Sequence, residues 1–302
     1  MPDKNRILAI IGGTANLQPP EVKIIKNDKY FITPFGKASA IPSIWTYTNG
    51  NQIVFLNRHG DFHQHHPSKI NYPANFFMLK SLGVTDVLAI SAVGSLQKDI
   101  EPGKTFVIPS QFLDFTHRPQ RTFFTDIAVH VSLGEPFCRN MYTLCVNSVQ
   151  QGPASFSSGA TYVCIEGPQF STRSESCLYK HMMQGSVIGM TMATEARLAR
   201  EAGMCFAGLA LPADYDSWNT ERACVTADEI KETLLQFNAN LQQIIKQVIF
   251  NFHYDTSRTP CNCASSLEGL AVHTRLREYL RILNPHHRER LIRKYKLFID
   301  IE

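Results

Sequence analysis

The sequence contains no apolar run of membrane length, no internal repeat and no low-complexity linker. Those absences exclude a spanning helix, a solenoid and a string of tethered modules, and leave one folded body as the expectation. Nor is there a signal-peptide h-region: a strand-like run, Ile7–Ile11, follows almost at once, so a cytoplasmic protein is expected. Charge of one sign is scarce too. The formal net charge is +4, too small for a nucleic-acid binder, and residues 271–302 carry the whole excess, with eight Lys or Arg against four acids. Close-spaced cysteines are scarcer still. Of eight, only Cys261 and Cys263 lie near each other, and with no second close pair a metal site is not expected. The others sit mostly in apolar runs such as Tyr162-Val163-Cys164-Ile165, where a reduced, buried thiol in a reducing compartment is expected.

What is present is an alternation of short β-branched runs with helical patterns, continuing to about residue 250. Ile7–Ile11 ends in Gly12-Gly13-Thr14, Gln52–Leu56 in Asn57-Arg58-His59-Gly60, and Asp86–Ile90 in Ser91-Ala92-Val93-Gly94. Between the last two runs, Asn71–Leu82 reads as a helix closed by Gly83. Thr161–Ile165, Ser186–Met190 and Cys205–Leu211 read as strands, and Ser174–Gln184, Thr194–Ala202 and Ala227 to about Ile249 as helices, the last capped by Thr226. The pattern predicts an α/β fold: a single domain over 1–250 with a central, mostly parallel mixed sheet flanked by helices. Residues 251–302 form a basic extension, with amphipathic helices over Leu270–Leu283 and His287–Phe298 broken at Pro285. That tail reads either as a contact for a membrane surface or nucleic acid, or as a solvated cap on the body or a neighbouring subunit; the cap is the expectation.

Ligands in such sheets bind beyond the carboxyl ends of the strands, where the polar clusters fall. Glycine in Gly12-Gly13-Thr14 lets a chain approach an anion closely, with the Thr14 hydroxyl as a donor, although the same string serves as an ordinary turn. Arg58 offers a planar fork to phosphate oxygens, and His59 beside it a further donor. His63, His65 and His66 follow, but no acid or thiolate stands at ligand spacing, so no metal loop is expected. Lys69 reads as structural. Ser91-Ala92-Val93-Gly94-Ser95 supplies a third small-residue loop against which a sugar or phosphate can lie. Asp214 and Asp216 flank Tyr215 and point the same way in an extended segment. One can accept from an exocyclic amine of a purine while the other, protonated, serves N7; a polar turn is the plainer reading of the same acids.

With these residues assembled, the chain resembles the trimeric purine nucleoside phosphorylases, in their methylthioadenosine-cleaving branch. The strings that carry the resemblance run in family order: Gly12-Gly13-Thr14, Asn57-Arg58-His59-Gly60, Pro67-Ser68-Lys69-Ile70-Asn71-Tyr72, Gly94-Ser95-Leu96, Ile165-Glu166-Gly167-Pro168-Gln169-Phe170-Ser171 and Asp214-Tyr215-Asp216-Ser217-Trp218. The resemblance implies phosphorolysis of 5′-methylthioadenosine or a related 6-aminopurine nucleoside, with inorganic phosphate as co-substrate and no cofactor or metal. It implies a phosphate site of Thr14, Arg58, His59, Ser91, Ala92 and Thr191. Phe170 and Met190 would border base and ribose, Asp214 and Asp216 read the adenine, and Asp214 help place the proton. Ser171 falls where the family tunes specificity, and His130 matches a histidine lent by an adjacent subunit of a homotrimer.

The sequence departs from the family at Ala15, at Ala213 and at Ser91, which keeps the hydroxyl of the usual threonine. On the helix after Thr226, which would meet the 5′ substituent, the chain offers Ala227, Ile230 and Lys231 instead of a fully apolar surface. Lys231 either runs outward along its alkyl stem or reaches a polar 5′ group. Two further functions stay open: a 6-oxopurine phosphorylase of the same fold, and a weakly active nucleoside-binding protein acting through its basic tail.

Overall fold

In the computed structural model, residues 6–13, 23–26, 30–46, 52–220, 227–254, 258–269 and 272–300 are described. Thr14, Ala15 and Thr226 lie outside them, as does the side chain of Ala227. From the N-terminus, β1 (Leu8–Gly12) is followed by β2 (Lys23–Lys26), the small hairpin of β3 (Ile32–Thr33) and β4 (Gly36–Lys37), then β5 (Ser43–Thr46) and β6 (Gln52–Asn57). Helix α1 (Tyr72–Ser81) leads into β7 (Asp86–Ser95) and β8 (Thr105–Asp114). Next come α2 (Arg139–Gln150), β9 (Ser155–Cys164), α3 (Arg173–Cys177), β10 (Val187–Gly189), α4 (Met192–Glu201) and β11 (Cys205–Tyr215). Helices α5 (Ala227–Tyr254), α6 (Val272–Ile282) and α7 (Pro285–Tyr295) follow.

Nine strands form one mixed sheet in the order β10-β9-β8-β11-β7-β1-β6-β5-β2. The four central strands β6, β1, β7 and β11 are parallel, as the alternating pattern predicts. Antiparallel β8 breaks the array, and β10 pairs with the end of β7 as well as with β9, so β7, β11, β8, β9 and β10 close a ring. Two strands outrun their predicted ends. β7 continues through Ser95 and β11 through Tyr215, because each extended end finds a neighbour: Asp214 lies opposite Gly94 and Tyr215 opposite Ser95. Ser91 and Asp214 therefore stand on strands and not in the loops beyond them. The predicted helix over Ser174–Gln184 is divided, α3 giving way to a wider turn at Leu178–Met182.

Alternation along the central strands sorts side chains onto two faces. Leu8, Ile10, Leu88 and Ile90 face one core, shared with residues of α2 and α5, whereas Ala9, Ile11, Val87 and Ala89 face the other, under α1 and α4. Helix α1 presents little to solvent: Tyr72 through Leu79 are all buried, the one polar side chain among them, Asn75, bonding Ser39. A helix buried all round must be covered on its far side too, and the C-terminal tail supplies that cover. Phe298 stacks on Phe123 at 4.3 Å and meets Phe77 edge-on at 5.9 Å, while Leu276, Leu280, Leu291 and Tyr295 are buried in the same core. Much of the tail's positive charge is satisfied locally. Arg288 Nε donates to the Leu280 carbonyl at 2.8 Å, and Lys294 and Arg290 both pair with Asp126. The tail is thus a packed cap, as the plainer reading had it, and more deeply joined to the body than an appendage.

Tyr295 is fully buried and donates its hydroxyl to Asp126 Oδ2 at 2.7 Å. Tyr295→Ala should cost roughly 3–5 kcal/mol by cavity formation, and calorimetry should show a melting midpoint lower by on the order of 10 °C; an unchanged midpoint would mean the tail is not part of the cooperative core.

Candidate active site

The carboxyl ends of β6, β7 and β11 open on a cavity of about 240 Å³. Its wall brings together most of the residues singled out from sequence: Arg58, His59, Ser91, Ala92 and Thr191 with Phe170, Ser171, Met190, Asp214, Asp216 and Ile230. They come from six separate stretches of chain. What assembles them is the parallel register that brings strand ends to one edge.

Arg58 follows β6 and is 1% exposed. Its Nε donates to Glu195 Oε1 at 2.7 Å, Nη1 to the Ile90 carbonyl at 2.7 Å and Nη2 to the Ile11 carbonyl at 3.3 Å. The guanidinium thus lies across the end of β1 and the middle of β7, against α4. Gly13 permits this: a Cβ there would stand 2.7 Å from Arg58 Nη1. A buried ion pair is tolerable only when most of the remaining donors are met, and these carbonyls take two of them. Ser91 is the residue after Ile90, and Thr191 stands one helical turn before Glu195, so the same clamp sets their hydroxyls 3.3 Å apart on the cavity wall. Thr191 is also the N-cap of α4, yet its side chain makes no cap hydrogen bond.

His59 behaves differently from the sequence expectation. Its Nδ1 is 2.7 Å from the His65 carbonyl, which can only accept, so Nδ1 carries the hydrogen. Burial, reinforced by the Arg58 charge, pushes its pKa down to about 3. The ring is neutral and its Nε2 is an acceptor, not a further donor to an anion. His63 stacks on it at 4.4 Å and also lines the cavity.

The acids sit at the end of β11, where a bulge at Ala213 re-aims Asp214. The following segment is pinned: Asp216 N–H and Trp218 Nε1 both donate to the Ser95 carbonyl, at 3.0 and 2.8 Å, and Ser217 Oγ donates to the Ser171 carbonyl. Burial first, and then the neighbouring Asp216 charge, push the Asp214 pKa up to about 7. Burial raises Asp216 as well. Gly94 leaves room for the pair, since a Cβ there would lie 3.3 Å from Asp216 Cβ and 3.0 Å from Ile188. Among the described residues, Asp216 Oδ2 and Ser171 Oγ are buried without a close hydrogen-bond partner, although the two side chains are near enough for Ser171 to lower the Asp216 pKa against its burial.

Two residues singled out from sequence, His130 and Lys231, stand elsewhere. Thr14 lies outside the described residues. His130 is exposed and does not line the cavity of its own chain. Lys231 is exposed and away from the cavity, while Ile230 faces it. One residue along a helix turns the side chain by about 100°, so the lysine runs outward and offers no charge to the ligand.

Sequence reasoning missed the supporting residues. Glu195 carried a signal, an acid inside the apolar stripe Met192, Ala193, Ala196 and Ala199, which demands a buried cation. Arg118 carried little. Its Nη2 donates to the carbonyls of Met190 at 2.6 Å and Glu166 at 3.0 Å, and its Nη1 to the Tyr72 hydroxyl at 2.8 Å, fixing the stretch that presents Met190 and Phe170. Ser68, in a string that otherwise had no assigned part, donates to the same Glu166 carbonyl.

Fold and cavity together define a nucleoside-processing phosphorylase, and the chain belongs to the phosphorylase superfamily, which it matches over residues 7–249. It is 39% identical over 262 residues to the S-methyl-5′-thioadenosine phosphorylase of Hyperthermus butylicus, covering 86% of this chain and 94% of that one. It is 36% identical over 266 residues to a probable S-methyl-5′-thioinosine phosphorylase of Methanothermobacter thermautotrophicus, covering 88% and 90%. Among solved structures it superposes with TM-score 0.77 on a methylthioadenosine phosphorylase from an antarctic soil metagenomic library, at 38% identity over 88% of this chain and 92% of that one.

The Arg58–Glu195 pair gives a direct test. Glu195→Gln leaves Arg58 buried without its counter-charge, at a cost of roughly 3–5 kcal/mol. Denaturant unfolding of the ligand-free protein should show that loss, and an unaltered midpoint would remove the pair from its organising place.

Proposed function

We propose that this chain is a purine nucleoside phosphorylase that uses inorganic phosphate to cut the N-glycosidic bond of 5′-methylthioadenosine or a related 6-aminopurine nucleoside. The products are adenine and a 5-substituted ribose 1-phosphate. One observation carries the reading: paired buried acids share a cavity with an arginine and two hydroxyls that suit an anion. Relatives named for this reaction align along most of the chain.

The chemistry follows from the two sides. A purine leaves readily when protonated at N7, and Asp214, with a pKa near 7, holds a proton to give at neutral pH. Asp216 in its ionised form accepts from the 6-amino group. As the bond to N9 lengthens, C1′ gains positive charge, which a phosphate held by Ser91, Thr191, Ala92, Thr14 and the remaining Arg58 N–H stabilises before attacking. Neutral His59 accepts a hydrogen, from a ribose hydroxyl or from a singly protonated phosphate. No side chain need become covalently attached; orientation and charge placement supply the rate. Phe170, 58% exposed at the rim, and Met190 border base and ribose. Ile230, with Lys231 turned away, suits an apolar 5′ group such as methylthio. His130 of a neighbouring subunit completes that pocket in a cytoplasmic homotrimer serving purine salvage. Among the described residues no helix is long and apolar enough to cross a membrane.

A 6-oxopurine preference is the second reading, favoured by the thioinosine-named relative and by a protonated Asp214 able to donate to O6. Purified protein incubated with methylthioadenosine, adenosine and inosine, each with and without phosphate, decides between them. Adenine should appear from methylthioadenosine only with phosphate; dominant hypoxanthine release would establish the second reading, and no phosphate-dependent release would end both. Asp214→Asn should lower kcat/KM on the order of a hundredfold. Because the protonated form is the active one, kcat/KM should fall as pH rises through about 7; a profile flat from pH 6 to 9 removes Asp214 as the acid. Arg58→Ala should chiefly raise the KM for phosphate, and an unmoved KM takes it out of the anion site.

A further inference from the structure

The fold brings together four thiols that the sequence spreads widely. Cys138 is the N-cap of α2, Cys205 opens β11, and Cys261 and Cys263 lie in the turn-rich segment over 258–269; their four Sγ atoms are all within 4.8 Å of one another. Three of the four side chains are buried, with Cys138, Cys205 and Cys263 no more than 4% exposed. The second pair missing from the sequence pattern is thus supplied by tertiary structure. The cluster lies at the opposite end of β11 from Asp214, roughly 30 Å away at about 3.3 Å per residue, so it has no part in the phosphorolysis proposed above.

We infer that Cys138, Cys205, Cys261 and Cys263 form a structural tetrathiolate site for a divalent metal of the zinc class. Zinc–sulfur bonds of about 2.3 Å in a tetrahedron set the sulfurs about 3.8 Å apart; Cys205 and Cys261 stand at 3.6 Å. Four thiolates leave no open position, the mark of a structural rather than a catalytic centre. Binding releases four protons to solvent and needs no electron acceptor. The surroundings suit the charge. A divalent ion on four thiolates retains two negative charges, and two guanidiniums face the sulfurs: Arg258 Nη2 lies 3.0 Å from Cys205 Sγ and 3.8 Å from Cys261 Sγ, and Arg200 Nη1 lies 3.8 Å from Cys263 Sγ. Arg258 is itself anchored on buried Asp86, which Arg6 also grips. The metal would tie a segment without strand or helix to β11 and α2.

Pairing into disulfides is the competing outcome. It needs an oxidant, and each sulfur here faces the other three instead of one partner 2.05 Å away, the usual bond length. Full-length protein purified under reducing conditions without chelator should carry about one zinc per chain by elemental analysis. Cobalt exchanged for the zinc should give a thiolate-to-metal charge-transfer band and the visible spectrum of a tetrahedral centre. Cys261→Ser should lower zinc affinity by at least the 10- to 100-fold typical of lost supporting groups, while Cys177→Ser, outside the cluster, should not. If the cysteine variant fails to fold, the wild-type cobalt spectrum alone decides. Negligible zinc with every thiol titratable, or a mass showing paired loss of hydrogens, overturns the inference.

Discussion

A single buried ion pair organises the molecule's working end. Arg58 and Glu195 are each about 1% exposed, and such a pair survives loss of water only because backbone carbonyls take up the donors the carboxylate leaves. Those carbonyls belong to Ile11, near the end of β1, and Ile90, midway along β7. One side chain therefore fixes the relative positions of β1, β6, β7 and α4. The hydroxyls of Ser91 and Thr191 take their places from their neighbours in that clamp, which holds them before any ligand arrives. Gly13 belongs to the same constraint, because a larger residue would push on the guanidinium.

Across the cavity the electrostatics reverse. Burial there disfavours carboxylate charge, and Asp214 keeps its proton near neutrality because Asp216 sits beside it. The imidazole of His59 is held neutral by the same desolvation acting on a base, helped by the adjacent Arg58. The site thus presents a proton to give and a lone pair to receive one, without a full mobile charge on either group.

Much of this was legible in the sequence. Strand ends followed by Gly-Gly, Arg-His-Gly or Asp-Tyr-Asp mark where a parallel sheet exposes polar groups, and those groups do converge. What sequence periodicity does not encode is where a strand stops once a partner is available: β7 and β11 extend each other through Ser95 and Tyr215, carrying Ser91 and Asp214 onto rigid elements. Nor does local pattern reveal the tautomer of His59, which a carbonyl six residues away sets, or Arg118, whose partners lie up to 76 residues off. The four-thiol cluster was hidden for the same reason, since spacing rules look only along the chain. Glu195 is the exception, an acid within an apolar stripe that announced a buried partner.

The buried surface of α1 has a consequence for how the chain is made. Phe298, which packs on Phe77 of that helix, lies more than two hundred positions later. During synthesis at about 5–20 residues per second, the nascent body therefore waits ten seconds or more, by the same estimate, with a greasy helix uncovered. Such an interval favours capture by a chaperone or by another nascent copy, and makes the docking of Phe298 a late step of folding.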